Sequence, residues 1–163
     1  MLKEELKSKI SSLLPAAVFE EPAEPAPNAW LNIQLTASDW LAIAEKFRHD
    51  PDLNFDFLFC VTCIDWSGTA TGKDVISMVY HLTSTTHHHN IVVKVKLDRN
   101  HPEIGTVSHL WRTAEFHERE AYEMFGVNFT GHPDLRLLIL PEGWEGKNPM
   151  RKDFEDPVNM IRL

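Results

Sequence analysis

Little in this sequence supports chemistry of its own. Only 2 of its 163 residues are cysteine, too few for a disulfide framework and fewer than an iron–sulfur cluster takes as ligands. The 7 glycines form neither G-x-G-x-x-G nor a P-loop, so dinucleotide and nucleoside-triphosphate sites lack their usual fingerprints. Lysine and arginine do not cluster and the formal charge is −8. Binding to a nucleic-acid backbone therefore has no electrostatic footprint. The longest apolar run, Phe57 to Val61, falls far short of the roughly 20 residues that cross a bilayer and suits a strand. The opening stretch MLKEELKSKI carries acidic residues and no long apolar core, unlike a secretory signal or an Arg-rich transit peptide. These absences predict a cytosolic chain that meets a membrane only through a partner.

What is present is periodicity. Leu2, Leu6, Ile10, Leu13 and Leu14 recur at helical spacing and predict a helix over 2–14, stopped by Pro15. Residues 20–29, EEPAEPAPNA, read as an extended linker. Leu31, Ile33 and Leu35 alternate with polar residues, as in a half-buried strand. Thr36 and Asp39 resemble a capping box opening a helix that carries Ala37, Trp40, Leu41, Ala44 and Phe47 on one stripe and closes at Pro51. The nearly continuous apolar run Phe57 to Ile64 predicts a central strand covered on both faces. With Val75 to Leu82 and Ile91 to Leu97 it predicts an antiparallel meander. A further helix is expected from an N-cap at Thr113 to Phe125, ended by Gly126, and a last short strand over Arg136 to Leu140. The fold expected is α+β: two layers, a mixed or antiparallel sheet of about 4–5 strands with helices on one face, plus an extended C-terminal arm. Residues 1–125 form the body, and 126–163 a partner-binding arm of the same domain.

The candidate chemistry is thin. Cys60 and Cys63 form C-x-x-C, but three residues apart on a strand they face opposite ways and read as packing residues. His87, His88 and His89 invite a metal, yet no further cluster lies nearby in sequence, and the favoured reading is a solvated histidine loop. His117-Glu118 begins like H-E-x-x-H, but Ala121 stands where the second ligand belongs. On the helix 113–125, Ala114, Glu118, Ala121 and Phe125 share a stripe, which puts Glu118 on an apolar face. It predicts a buried carboxylate paired with Arg112, Arg136 or Arg151. Arg119, Glu120 and Glu123 read as a solvated ion-pair ladder. The tail sets Trp144, Met150 and Phe154 among Arg151, Lys152 and Asp153, the mix of anchors found at interfaces. It equally suits a tail folded back across its own sheet.

The C-terminal third resembles the thirty-kilodalton subunit family of the proton-pumping NADH-quinone oxidoreductase, respiratory complex I. The residues that carry the likeness are Glu118-Arg119-Glu120, Met124-Phe125-Gly126, Gly131-His132-Pro133-Asp134-Leu135-Arg136, Trp144-Glu145-Gly146 and Pro149-Met150-Arg151-Lys152-Asp153-Phe154. Leu110-Trp111, Ala114 and Ile64-Asp65 fit the same pattern, whereas Arg112, Met150 and His117 depart from the family's usual choices. The resemblance implies a non-catalytic, peripheral subunit on the cytoplasmic side of the inner (plasma) membrane. It implies partners that include the quinone-site and iron–sulfur subunits, gripped through the C-terminal arm. It also implies no flavin, cluster, quinone or metal site in this chain, with FMN, iron–sulfur clusters and quinone held by partners. Glu118, Arg119, Glu120, Arg136, Trp144, Arg151, Lys152, Asp153 and Phe154 are the interface or structural residues it predicts. Related subunits serve ferredoxin- or F420-linked dehydrogenases and membrane-bound hydrogenases. A stand-alone metal protein using His87–His89 is the remaining alternative.

Overall fold

A computed structural model describes residues 3–15, 17–20, 30–69 and 74–156. Helix α1 (Lys3–Leu13) buries Leu6 and Ile10, one turn apart on the face predicted for it. Strand β1 (Val18–Glu20) pairs antiparallel with β2 (Leu31–Leu35). At three residues, none of them buried, β1 is too short to show a period, so its last residue, Glu20, passes for linker in the sequence. Residues 21–29 of that linker lie outside the described residues. In β2, Leu31, Ile33 and Leu35 are buried and the residues between them are not.

Helix α2 (Ala37–His49) opens on Thr36, whose hydroxyl oxygen accepts the Asp39 amide at 3.2 Å. Asp39 turns its carboxylate onto the same hydroxyl instead of a backbone amide, so only half of the capping box forms. The buried stripe is Trp40, Ile43, Ala44 and Phe47. Leu41, expected on it, is 37% exposed. It closes over Gly105, where a Cβ would lie 2.7 Å from Leu41 Cδ1.

Strands β3 (Phe57–Asp65), β4 (Val75–Ser84) and β5 (His89–Asp98) form the expected antiparallel meander. β5 also pairs parallel with β2, which gives a mixed sheet in the order β1-β2-β5-β4-β3. β3, expected at the centre, is therefore an edge strand. Its apolar run is explained by cover of another kind. Leu58, Val61 and Cys63 enter the core, while Phe59 on the outer side meets Trp30 at 5.6 Å and His81 at 5.7 Å. The open edge is closed by the third helix, where the Thr113 hydroxyl donates to the Leu58 carbonyl at 2.7 Å. Cys63 is buried and Cys60 half-buried, on opposite faces as their spacing requires. Burial pushes the Cys63 thiol up, further from the reactive thiolate.

The histidine loop is solvated only in part: His88 is exposed, His87 half-buried and His89 buried. His88 takes the left-handed φ of 53°. His87 and His89 then share one side and set their Nε2 atoms on the carbonyls of Pro51 (2.8 Å) and Leu53 (2.7 Å). His89 is buried, and burial holds its pKa below the usual value. The neutral ring serves as a brace between the β4–β5 turn and the segment after α2.

Strands β6 (Glu103–Gly105) and β7 (Asn128–Thr130) form a separate parallel pair on either side of α3 (Ala114–Phe125). Both are three residues long and below the reach of sequence periodicity. Thr113 does not cap α3, because its hydroxyl is used on Leu58. Gly126 ends the helix as expected, with the left-handed φ of 73° and its N–H on the Ala121 and Tyr122 carbonyls. The core joins the helices to the inner sheet face through Trp40, Phe47, Phe55, Tyr80 and Trp111. Trp40 and Trp111 stack at 6.1 Å, and the Trp111 indole donates to the Phe55 carbonyl. Among the described residues no helix is long and apolar enough to cross a membrane.

Candidate assembly surface

Helix α3 meets the core with Ala114, Ala121 and Phe125 and buries three charged residues as well, Glu118, Arg119 and Glu123. Glu118 is fully buried, as its place on the stripe predicts. The expected arginine partner is absent. Arg112 is exposed, Arg136 pairs with Asp134 at 2.9 Å, and Arg151 donates to the Phe125 carbonyl. Glu118 Oε1 instead accepts the Val107 amide at 2.9 Å, and Oε2 meets the Thr106 hydroxyl at 2.5 Å. His132 Nε2 lies 3.8 Å from Oε2. The loop 106–108 folds its own polar atoms onto the carboxylate, so no cation is needed to satisfy it.

Burial raises the Glu118 pKa to about 7, against the lowering pull of the Thr106 and Val107 bonds. A carboxyl whose folded pKa exceeds its unfolded value of 4.5 binds its proton more tightly in the folded state. Its contribution to stability is then full below about 4.5 and is lost as pH rises to about 7. The loss should total about 3 kcal/mol. Glu118→Gln should remove that slope and leave the variant more stable than the parent at pH 8, as urea denaturation across pH 4–8 would read. An unchanged slope would show that Glu118 stays ionised.

The expected ion-pair ladder on the next face is replaced by a grip on the chain itself. Glu120 is exposed, but Arg119 is 7% and Glu123 1% exposed. The Arg119 guanidinium donates to the carbonyls of Arg136 (3.1 Å) and Leu137 (2.7 Å). The Glu123 carboxylate accepts the amides of Leu138 (2.8 Å), Ile139 (3.0 Å) and Leu140 (3.1 Å). Residues 136–140, expected as a strand, are therefore an irregular strap. Its backbone groups are satisfied by helix side chains instead of a neighbouring strand.

Further along, the Met150 amide donates to the Met124 carbonyl (3.1 Å) and Arg151 Nε to the Phe125 carbonyl (2.7 Å). Both occupy carbonyls that α3 leaves unpaired at its C-terminus, where a cation is also favoured. Trp144 and Phe154 are half-buried with ring centroids 6.3 Å apart, and Lys147 Nζ lies 4.3 Å over the indole.

The strap ends in a polar clasp. Arg99 forks onto both oxygens of Asp65, at 3.0 Å each, and reaches Asp153 at 2.5 Å. Asp65 Oδ2 also accepts the Lys152 amide at 3.0 Å, while Lys152 Nζ donates to the Ser67 carbonyl. Burial alone would raise the Asp65 pKa. The Arg99 bonds, then the Ser67 and Lys152 amides, outweigh it and hold the carboxyl well below its usual range. Sequence reasoning finds Asp153 and Lys152 but not Arg99, Glu123, Thr106 or His132 in these roles. The signals at Asp65 are a carboxylate ending an apolar strand and its place in the family pattern.

On the outer side of the strap, Leu138 (39%), Ile139 (63%) and Met150 (59%) stay exposed. Their backbones are tied to consecutive residues, Glu123 and Met124, so they flank the last turn of α3.

Residues 33–158 match the family described as respiratory-chain NADH dehydrogenase, 30 Kd subunit. The chain belongs to that family. An NADH-quinone oxidoreductase subunit of Chloroherpeton thalassium is 40% identical over 117 residues, which cover 71% of this chain. They cover 46% of that relative, so the chain spans about half its length. Among solved structures, one chain of the membrane-bound sulfane sulfur reductase, an archaeal respiratory membrane complex, is 26% identical. It superposes with a TM-score of 0.78 over 93% of this chain and 85% of its own. A trypsin-resistant fragment of Nqo5 is 25% identical, with a TM-score of 0.66 over 82% of this chain and 100% of its own. The family and the α+β fold read from the sequence are both borne out. The family match starts within β2 and runs through α2, β3, β4, β5, α3 and the strap, and leaves out α1 and β1.

Proposed function

We propose that this 30 Kd family member is a non-catalytic subunit of the peripheral arm of a proton-translocating NADH:quinone oxidoreductase. It supports the quinone-site and iron–sulfur subunits during electron transfer from NADH to quinone. In this reading the chain holds no flavin, cluster or quinone, sits on the cytoplasmic side of the membrane, and reaches the membrane only through its partners. The observation that carries the reading is the strap. Its backbone is fixed to α3 by Arg119 and Glu123 while Leu138, Ile139 and Met150 point apolar surface outward. A backbone held by its own protein leaves side chains ordered before a partner arrives, which cuts the entropy lost on docking. Among the other residues predicted for the interface, Glu120, Lys152 and Asp153 are exposed, and Trp144 and Phe154 half-buried.

The test is an Ile139→Asp, Met150→Asp double variant expressed in place of the native subunit. Both side chains are largely exposed, so the isolated variant should melt like the parent while the complex purified from membranes lacks the subunit. Full incorporation with undiminished NADH:quinone turnover would overturn the proposal. A second reading, the equivalent subunit of another respiratory complex such as a ferredoxin-linked dehydrogenase or membrane-bound hydrogenase, is favoured by the sulfane sulfur reductase chain of the same fold. The subunits that co-purify decide between them, because a flavin- and NADH-binding pair marks the first reading. The stand-alone metal reading is disfavoured by His87 and His89, whose Nε2 atoms are already set on carbonyl oxygens.

A further inference from the structure

A cleft of about 620 Å³ opens between α2 and the N-terminal end of α3, lined by Leu41, Thr106, Ser108, Arg112, Glu115 and Pro133 among others. Behind its wall lies the fully buried carboxylate of Glu118. Two hydroxyls join cleft and carboxylate: Ser108 Oγ is 2.8 Å from Thr106 Oγ1, which is 2.5 Å from Glu118 Oε2. On the other side stands His132, whose side chain is also fully buried. The Asp134 amide donates to its Nδ1 at 3.0 Å, which assigns the ring proton to Nε2, and Nε2–H donates to the Glu115 carbonyl at 3.0 Å. Glu118 Oε2, at 3.8 Å, is the competing acceptor for that same N–H.

We propose that Glu118, reached through the Ser108 and Thr106 hydroxyls and read by His132, is a proton-exchange site that sets the seat of the 131–134 turn. The Thr106 hydroxyl is placed to donate to either Ser108 Oγ or Glu118 Oε2, and the Ser108 amide donates to Thr106 Oγ1 at 3.1 Å. In the ionised form Thr106 donates to Oε2, and uptake requires the Ser108 hydroxyl to turn and donate to Thr106. A solvated proton in the cleft bonds to Ser108 Oγ and leaves water behind, the Ser108 proton passes to Thr106, and the Thr106 proton passes to Oε2. The hydroxyls then point the other way, with Oε2–H donating to Thr106 and Thr106 to Ser108. One proton is taken up, and each hydroxyl gives up one O–H bond as it forms another. With Glu118 neutral, His132 keeps its N–H on Glu115. With Glu118 charged, Oε2 draws that N–H and turns the ring, and the Asp134 amide on Nδ1 carries the turn with it.

His132 faces Glu118 from the turn, 3.8 Å from Oε2. Tyr80 of β4 is kept protonated by burial and by the Glu118 charge, with Cys63 of β3 beyond it. Arg119 is occupied by carbonyls of the strap and by Asp134 at 3.7 Å. At the cleft, His109 sits 3.6 Å from Glu45 of α2, and Arg112 and Glu115 line the wall. Burial that raises the Glu118 pKa places the exchange near neutrality.

The experiment is an NMR titration of the full chain, with glutamate carboxyls labelled with carbon-13 and amides with nitrogen-15. One carboxyl is expected to titrate near neutrality, with the amides of Gly131 and Asp134 moving at the same midpoint. Both movements should vanish in Glu118→Gln. Thr106→Val removes a donor to the ionised form and should raise the midpoint by roughly one pH unit. A Glu118 midpoint in the ordinary carboxylate range would overturn the proposal. So would amides that stay still, or that still move in Glu118→Gln. The readout needs no partner, so its failure is separate from any failure of the assembly reading.

Discussion

Arg99→Ala should lower the stability of the isolated chain by about 3–5 kcal/mol at pH 7. The Asp65 side chain is 2% exposed, and removing the guanidinium leaves its charge with neutral donors alone, the Ser67 and Lys152 amides and the Ser67 side chain. The acid limb of the pH profile carries the sign. Asp65 has a folded pKa below its unfolded value, so its contribution is present above that value and is lost as pH falls through the folded one. In the alanine variant this acid-side loss should largely disappear, because the depressed pKa depends on Arg99. Asp153 loses its partner in the same step, so the Lys152 amide should exchange hydrogen much faster. Urea denaturation with hydrogen exchange checks both. A variant within about 1 kcal/mol of the parent, the range of an exposed pair, would show that the clasp is not buried in solution.

Glu123→Ala should cost about 4 kcal/mol. Each bond from a neutral donor to a buried charge contributes about 1.5–3 kcal/mol, and Glu123 takes the amides of Leu138, Ile139 and Leu140. The bonds do not simply add, because a released strap returns its amides to water. The loss should be local in exchange experiments, confined to 136–140 and the end of α3. Glu123→Gln keeps one acceptor oxygen and should recover about half. In the proposed assembly the alanine variant should also lose its place, since Leu138 and Ile139 are then no longer held in place. Protected 138–140 amides in Glu123→Ala would refute the grip.

These effects sit where local pattern is least informative. Every helix is legible in the sequence: α1 from the spacing of Leu6 and Ile10, α2 from Trp40, Ala44 and Phe47, and α3 from its stripe and Gly126. The meander is legible because β3, β4 and β5 are 9–10 residues long. β1, β6 and β7 are not, because three residues hold no readable period. β3 is misplaced by its pattern for a different reason. Burial on both faces looks the same whether a strand lies between two others or between the core and a layer of aromatic rings.

Glu118 marks the boundary. Its burial follows from sequence alone, since a helix repeats every 3.6 residues and Ala114, Ala121 and Phe125 share its face. Its partner does not follow. Thr106 and Val107 lie 12 and 11 residues before it, and only the β6–α3 crossover brings them onto it. Periodicity determined which side chains go inside, because each helix or strand repeats its own geometry. The tertiary structure alone decided what a buried charge meets there, because Arg99 reaches Asp65 across 34 residues and Lys152 reaches it across 87, and no local repeat encodes such distances.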